Sequence, residues 1–186
     1  MNKINSKTAQ ELTLHYDAIE DDAFDLLNPK ITPSDFITKL LEKKYFADSI
    51  IFLAHALPKR EAIWWACLCA KEATNDKTRA DDHASLSVAE KWVYEPDEKK
   101  RRMCGTLAEK GEYKSAQNWT AAAVFWSGGS ITAEGESAME PAPYLYAHAV
   151  SGAILNAVGV SGADDIDIQF QEFIESGLNI AKGGNG

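Results

Sequence analysis

Leu57-Pro58-Lys59-Arg60-Glu61-Ala62-Ile63-Trp64-Trp65-Ala66-Cys67-Leu68-Cys69-Ala70 is the stretch whose reading decides the fold. Pro58 ends what precedes it and starts the next helix, predicted over Lys59 to Ala73. From Ala62 to Ala70 the run is apolar all the way round. A helix with no polar face belongs in the middle of a molecule. Two more segments share this character: Ser115 to Trp126, with Trp119 and the run Ala121-Ala122-Ala123-Val124-Phe125-Trp126, and Pro143 to about Val158. Trp64, Trp65, Trp119 and Trp126 are read as packing the centre.

Amphipathic helices surround these three. Thr32-Pro33-Ser34-Asp35 is a helix start, with a capping hydroxyl, proline in the first turn and an acid at the positive dipole end. Phe36, Ile37, Leu40 and Leu41 follow at helical spacing. Tyr45 to Leu57 repeats the pattern through Phe46, Ile50, Leu53, Ala54 and Leu57. Thr78 to Tyr94 is a further helix. Asp97 to Lys110 is a charged surface helix with Met103, Leu107 and Ala108 inward and Gly111 as its glycine cap. Asp165 to Ala181 presents Ile166, Phe170, Phe173, Ile174 and Leu178. Shorter helices are predicted over Ser6 to Tyr16, capped by Ser6, and Glu20 to Leu27. Ser127-Gly128-Gly129-Ser130 ends a helix, 131–143 is the one long loop, and 183–186 reads as a frayed tail. No stretch alternates at period two long enough to make a strand. The fold class is therefore all-α: a compact bundle of eight to ten helices forming one domain over 1–186, with short helices in 1–30. A stacked α-hairpin arrangement stays open, because the segment from Phe46 to Ala73 loosely parallels that from Met103 to Trp126.

The chain has 186 residues, 45% of them hydrophobic, enough for one core without disulfide or metal. Its formal net charge is −9, from 28 acidic and 19 basic residues. Phosphate backbones repel such a surface, and the basic run Lys99-Lys100-Arg101-Arg102 is flanked by Asp97 and Glu98, so nucleic acid is not an expected partner. A basic protein suits the charge better. No uninterrupted apolar run reaches the ~18 residues of a membrane span. The N-terminus leads into a polar segment rather than a signal sequence. Three cysteines, Cys67, Cys69 and Cys104, point to a reducing compartment, and the expected location is cytoplasmic.

Candidate chemistry is sparse. Cys67 and Cys69 project about 200° apart on one helix and cannot grip one ion together. Asp81-Asp82-His83 is the densest cluster of ligand-type residues, and a metal or hydrolytic site would centre there; its plainer role is a polar first helical turn. His15, His55 and His148 are scattered. The serine and glycines of 127–130 lack both the nucleophile elbow and the P-loop lysine. No catalytic residue, metal or cofactor is assigned. The loop 131–143 is the best place for recognition: it carries Glu134, Glu136 and Glu140 and delivers Tyr144 and Tyr146, a combination of acidic rim and aromatic anchors.

The strings Leu57 to Ala70 and Ala123-Val124-Phe125-Trp126-Ser127-Gly128-Gly129-Ser130, with the proline-rich lead into Ala147 to Ile154, resemble an uncharacterised family of small bacterial helical proteins. The resemblance spans roughly Phe46 to Val158. It implies a setting in gene neighbourhoods of type VI secretion and carries no catalytic or binding residues with it. The expectation is a non-enzymatic protein-binding module, an adaptor or chaperone-like accessory of a bacterial secretion system. The alternatives are an immunity-type inhibitor of a toxic effector, and an enzyme or metal binder centred on Asp81, Asp82 and His83. The partner's identity and the oligomeric state are not legible.

Overall fold

The computed structural model describes residues 1–14, 20–160 and 165–186. Ten helices follow in order: α1 Ala9–Thr13, α2 Asp21–Phe24, α3 Pro33–Glu42, α4 Phe46–Ala56, α5 Lys59–Glu72, α6 Ala80–Tyr94, α7 Glu98–Lys110, α8 Ala116–Phe125, α9 Leu145–Ala157 and α10 Ile166–Lys182. No strand occurs among the described residues. The fold is an all-α bundle, and no described helix is long and apolar enough to cross a membrane.

Local signals account for most helix starts. The Thr32 hydroxyl accepts from the Asp35 amide with Pro33 at the first helical position, and Ser115 and Asp97 cap α8 and α7 in the same way. For α1 the cap is Thr8, not Ser6, because Thr8 is the residue whose hydroxyl meets the Glu11 amide. Tyr16 and residues 161–164, on which other boundaries were read, lie outside the described residues.

α5, α8 and α9 form the centre. α9 packs against both α8 and α5, the α6–α7 pair covers α8 from one flank, and α3, α4 and α10 close the other. α4 and α5 scarcely meet directly, since both lean on α9 instead, whereas α7 and α8 pack along their length. Small residues let these two helices pack closely: Ala121, Ala122 and Ala123 of α8 and Ala149 and Ala153 of α9 are all fully buried, and Gly152 of α9 lies under the Trp119 ring.

Trp65, fully buried, fixes α10 to this centre. Its indole Nε1 donates to the Phe173 carbonyl at 2.8 Å. Gly177 makes the approach possible: a Cβ there would stand 2.6 Å from the Trp65 ring and 2.7 Å from Leu53. Cys67, Cys69 and Cys104 are buried free thiols, and loss of hydration pushes the Cys104 thiol up to about 12.

Several inward assignments are corrected. Met103 is exposed, because Cys104, Gly105 and Ala108 form the buried edge of α7. Ile166 is exposed as well, the buried stripe of α10 running through Gln169, Phe173, Ile174, Gly177 and Ile180. Trp64, Trp119 and Trp126 are only half-buried and rest on the core, Trp65 alone of the four lying within it. Gly111 caps α7 as the sequence indicates, with right-handed angles (φ −78°), and its lack of a side chain admits Asn118, which a Cβ would approach to 2.3 Å. The tail from Gly183 to Gly186 folds back instead of fraying. Gly183 is left-handed, the Gly184 amide donates to the Asn179 carbonyl, and Trp64 Nε1 donates to the Asn185 carbonyl at 2.9 Å.

Trp65→Ala should cost about 3–5 kcal/mol, the range for truncating a buried aromatic. Gly177→Ala should cost about 1–3 kcal/mol by overpacking the same contact from the other side. Urea denaturation of the two variants beside the parent chain measures both.

Candidate functional site

The carbonyls at the C-terminal end of α8 and in the turn after it need donors. Two cations supply three of them. Arg101, 4% exposed, donates Nη1 to the Phe125 carbonyl at 2.7 Å and Nη2 to the Ser130 carbonyl at 2.8 Å, while Glu98 receives its Nε and Nη2 at 2.6 Å each. Lys59 Nζ donates to the Ser127 carbonyl at 2.7 Å. Arg102 holds the Thr132 carbonyl. The loop that follows is pinched at its base, where the Ile131 amide donates to the Met139 carbonyl at 2.8 Å. Glu134, Glu136 and Glu140 all lie exposed on it, and none forms an ion pair among the described residues.

Beside this loop, Tyr113, Trp119 and Trp126 form an aromatic corner. Trp119 and Trp126 are seven apart, two turns of α8, and so share a face. The ring centroids of Tyr113 stand 5.7 Å from Trp119 and 5.9 Å from Trp126, and the two tryptophans are 6.3 Å apart. All three are half-buried, resting on the core by one side and open on the other. The turn that delivers Tyr113 is unusual: Glu112 and Tyr113 both have left-handed backbone, at φ 53° and 55°. Such conformations in residues other than glycine cost about 1–3 kcal/mol each and are kept where surrounding contacts over-determine them. Here the Tyr113 amide donates to the Ala108 carbonyl, and the ring stacks on Trp126. Burial and the charge of Glu109 push the Tyr113 hydroxyl pKa up.

The loop tyrosines behave differently from an exposed pair of anchors. Tyr146 is buried, with Lys59 Nζ over its ring at 5.4 Å, and burial pushes its hydroxyl up to about 12. Tyr144 is half-buried, left-handed at φ 63°, and stacks on His55 at 5.9 Å. His55 lies edge-on to the exposed His148 at 4.8 Å, and its Nδ1 donates to the Ile51 carbonyl. The tyrosines thus dock inward, while the glutamates form the outer rim.

Asp81, Asp82 and His83 are not brought together. Asp82 is buried and takes a two-pronged ion pair from Arg79, both contacts at 2.9 Å, with the Ser115 hydroxyl donating at 3.1 Å. The Arg79 guanidinium holds its carboxyl below the usual range. Asp81 pairs with Lys110, and His83 points to solvent. This arrangement ties α6 to the start of α8. No group of three or more histidine, cysteine, aspartate or glutamate side chains among the described residues is placed to hold a metal.

The model of a family of unknown function, DUF6931, matches residues 36–181. The chain belongs to the DUF6931 family. The DUF6931 match takes in α3 and α10, both outside the stretch from Phe46 to Val158 that carries the resemblance read from the sequence. No curated protein and no solved structure matches the chain. Within the DUF6931 region, Tyr113 is the surface residue that sequence reading missed. The only available signal was the seven-residue spacing of Trp119 and Trp126, which core packing explains equally well.

Glu98 offers a pH test of the α8 cap. Its carboxyl is lowered from 4.5 to about 2, chiefly by hydrogen bonds from Arg101. A depressed carboxyl contributes stability that is present above its unfolded value and lost as pH falls through the folded one. The stability gap between the parent chain and Glu98→Gln should therefore be widest near neutrality and close between about 4.5 and about 2, as read by urea titrations at stepped pH. Arg101→Met, which strands the Phe125 and Ser130 carbonyls, should cost about 3 kcal/mol at neutral pH.

Proposed function

We propose that this DUF6931 chain is a non-enzymatic protein-binding module, an adaptor or chaperone-like accessory of a bacterial secretion system, and that the aromatic corner on α8 is its recognition surface. The observation that carries this reading is the Tyr113–Trp119–Trp126 cluster, three large rings in mutual contact and half open to solvent. Tryptophan and tyrosine dominate binding energy at interfaces, where their broad faces bury area at small entropic cost. The exposed Glu134, Glu136 and Glu140 supply a charged rim on the neighbouring loop. The secretion setting, type VI in particular, comes from the resemblance of Leu57 to Ala70 and Ala123 to Ser130 to a bacterial family found in such neighbourhoods. The net charge of −9 favours a basic partner within that apparatus.

The test is affinity capture from cells of a bacterium carrying the chain, using the parent and a Trp119→Ala/Trp126→Ala variant of matched fold by circular dichroism. A specific partner should be retained by the parent and lost by the variant, with a cost of about 2 kcal/mol or more in measured affinity. Equal retention by both would remove this surface as the site. A one-to-one complex with a single toxic effector would make the module an immunity protein instead of an adaptor.

A further inference from the structure

The chain uses cations over aromatic rings twice within itself: Arg101 lies 5.1 Å from the Phe125 centroid, and Lys59 lies 5.4 Å from that of Tyr146. Among the described residues, no lysine or arginine lies over Tyr113, Trp119 or Trp126. The nearest basic residue in sequence, Lys114, is turned to Glu112 at 2.7 Å. Tyr113 and Trp126 lie nearly parallel, at 17°, with Trp119 at 67° to Trp126, so a cation on the open side of this half-buried cluster is held by one ring face at a time, within the roughly 6 Å reach of its centroid. Glu109, at the end of α7, is exposed and has no ion pair among the described residues. Its charge reaches the Tyr113 hydroxyl.

We propose that the corner formed by Tyr113, Trp119 and Trp126 receives a lysine or arginine side chain displayed by the partner protein, with Glu109 as its counter-charge. This rests on the reading of the corner as a recognition surface and names the chemistry of what it recognises. A ring face attracts a cation through its quadrupole, with tryptophan the strongest, and an adjacent carboxylate adds Coulomb attraction. A second copy of this chain is a poor occupant, since each copy brings nine net negative charges to the contact.

The probes are two synthetic peptides of identical length, one with three arginines spaced by glycine and serine, the other with glutamates in their place. Isothermal titration at low salt should show the arginine peptide binding and the glutamate peptide not. The indole N–H signals of Trp119 and Trp126 should shift on titration while that of the buried Trp65 stays still. Trp126→Leu, which keeps apolar bulk but removes the ring face, should weaken the arginine peptide roughly three- to thirty-fold, the span of a cation–π contact. Glu109→Gln should weaken it and flatten its salt dependence. Equal affinity of the two peptides, or of the parent and a folded Trp126→Leu variant for the arginine peptide, would overturn the proposal. If the arginine peptide fails but Trp119→Ala/Trp126→Ala still abolishes partner capture, the surface stands and only its cation chemistry falls. If capture also survives that replacement, both fall.

Discussion

The capped C-terminal end of α8 is the constraint on which the rest of the structure depends. A helix covered by α5, α6, α7 and α9 cannot leave its terminal carbonyls to water, and backbone groups buried without partners cost about as much as a lost hydrogen bond. The Trp126 and Ser127 amides meet the Ala122 and Val124 carbonyls, Arg101 meets that of Phe125, and the guanidinium sets several things at once. It fixes the register of α7 against α8, holds the exposed Glu98 in a two-pronged pair, and anchors the base of the 131–143 loop. Gly129 belongs to the same arrangement: its left-handed backbone, at φ 67°, carries the chain past the guanidinium, which a Cβ would approach to 3.1 Å. Trp126, one residue beyond α8, inherits its position from this cap.

A consequence follows for charge. The basic residues that looked like a surface patch are largely committed to the chain itself. Arg101 and Arg102 serve α8 and the loop, Lys100 folds back on Asp97 and Glu95, and Arg60 donates to the carbonyls at the end of α6. Lys59 and Arg79 are likewise engaged, one on Ser127 and one on Asp82. The acids of the loop and Glu109 have no such partners among the described residues. The formal net charge of −9 is unchanged by this pairing, but among these groups it is the loop acids and Glu109 that are left without an intramolecular counter-ion.

What could be read from the sequence was what is local. Thr32, Pro33 and Asp35 specify a helix start within four residues, and the apolar run from Ala62 to Ala70 declares a central helix without reference to anything distant. Met103 and Ile166 were misplaced because helical periodicity tolerates an error of one position, and the neighbours on the opposing helix decide between candidates. Trp126 was placed in the core because a large apolar residue at a helix end looks the same whether tertiary structure covers it or leaves it open. The left-handed pair Glu112 and Tyr113 had no signal at all, since neither residue type favours that conformation, and it is held by amide hydrogen bonds to α7 and by the packing of Tyr113 on distant tryptophans. The capping role of Arg101 was equally hidden: its carbonyl partners lie 24 and 29 residues away.

The buried alanines of α8 and α9 bear on how this molecule distributes its disorder. Alanine has no rotamers to lose on burial, whereas long side chains surrender up to about 2 kcal/mol each. A centre built from Ala121, Ala122, Ala123, Ala149 and Ala153 is thus ordered at almost no side-chain entropy. The conformational freedom that remains is concentrated at the periphery, in half-buried rings and exposed glutamates. Adaptation to a differently shaped partner would proceed there by rotamer changes, with the helices standing still.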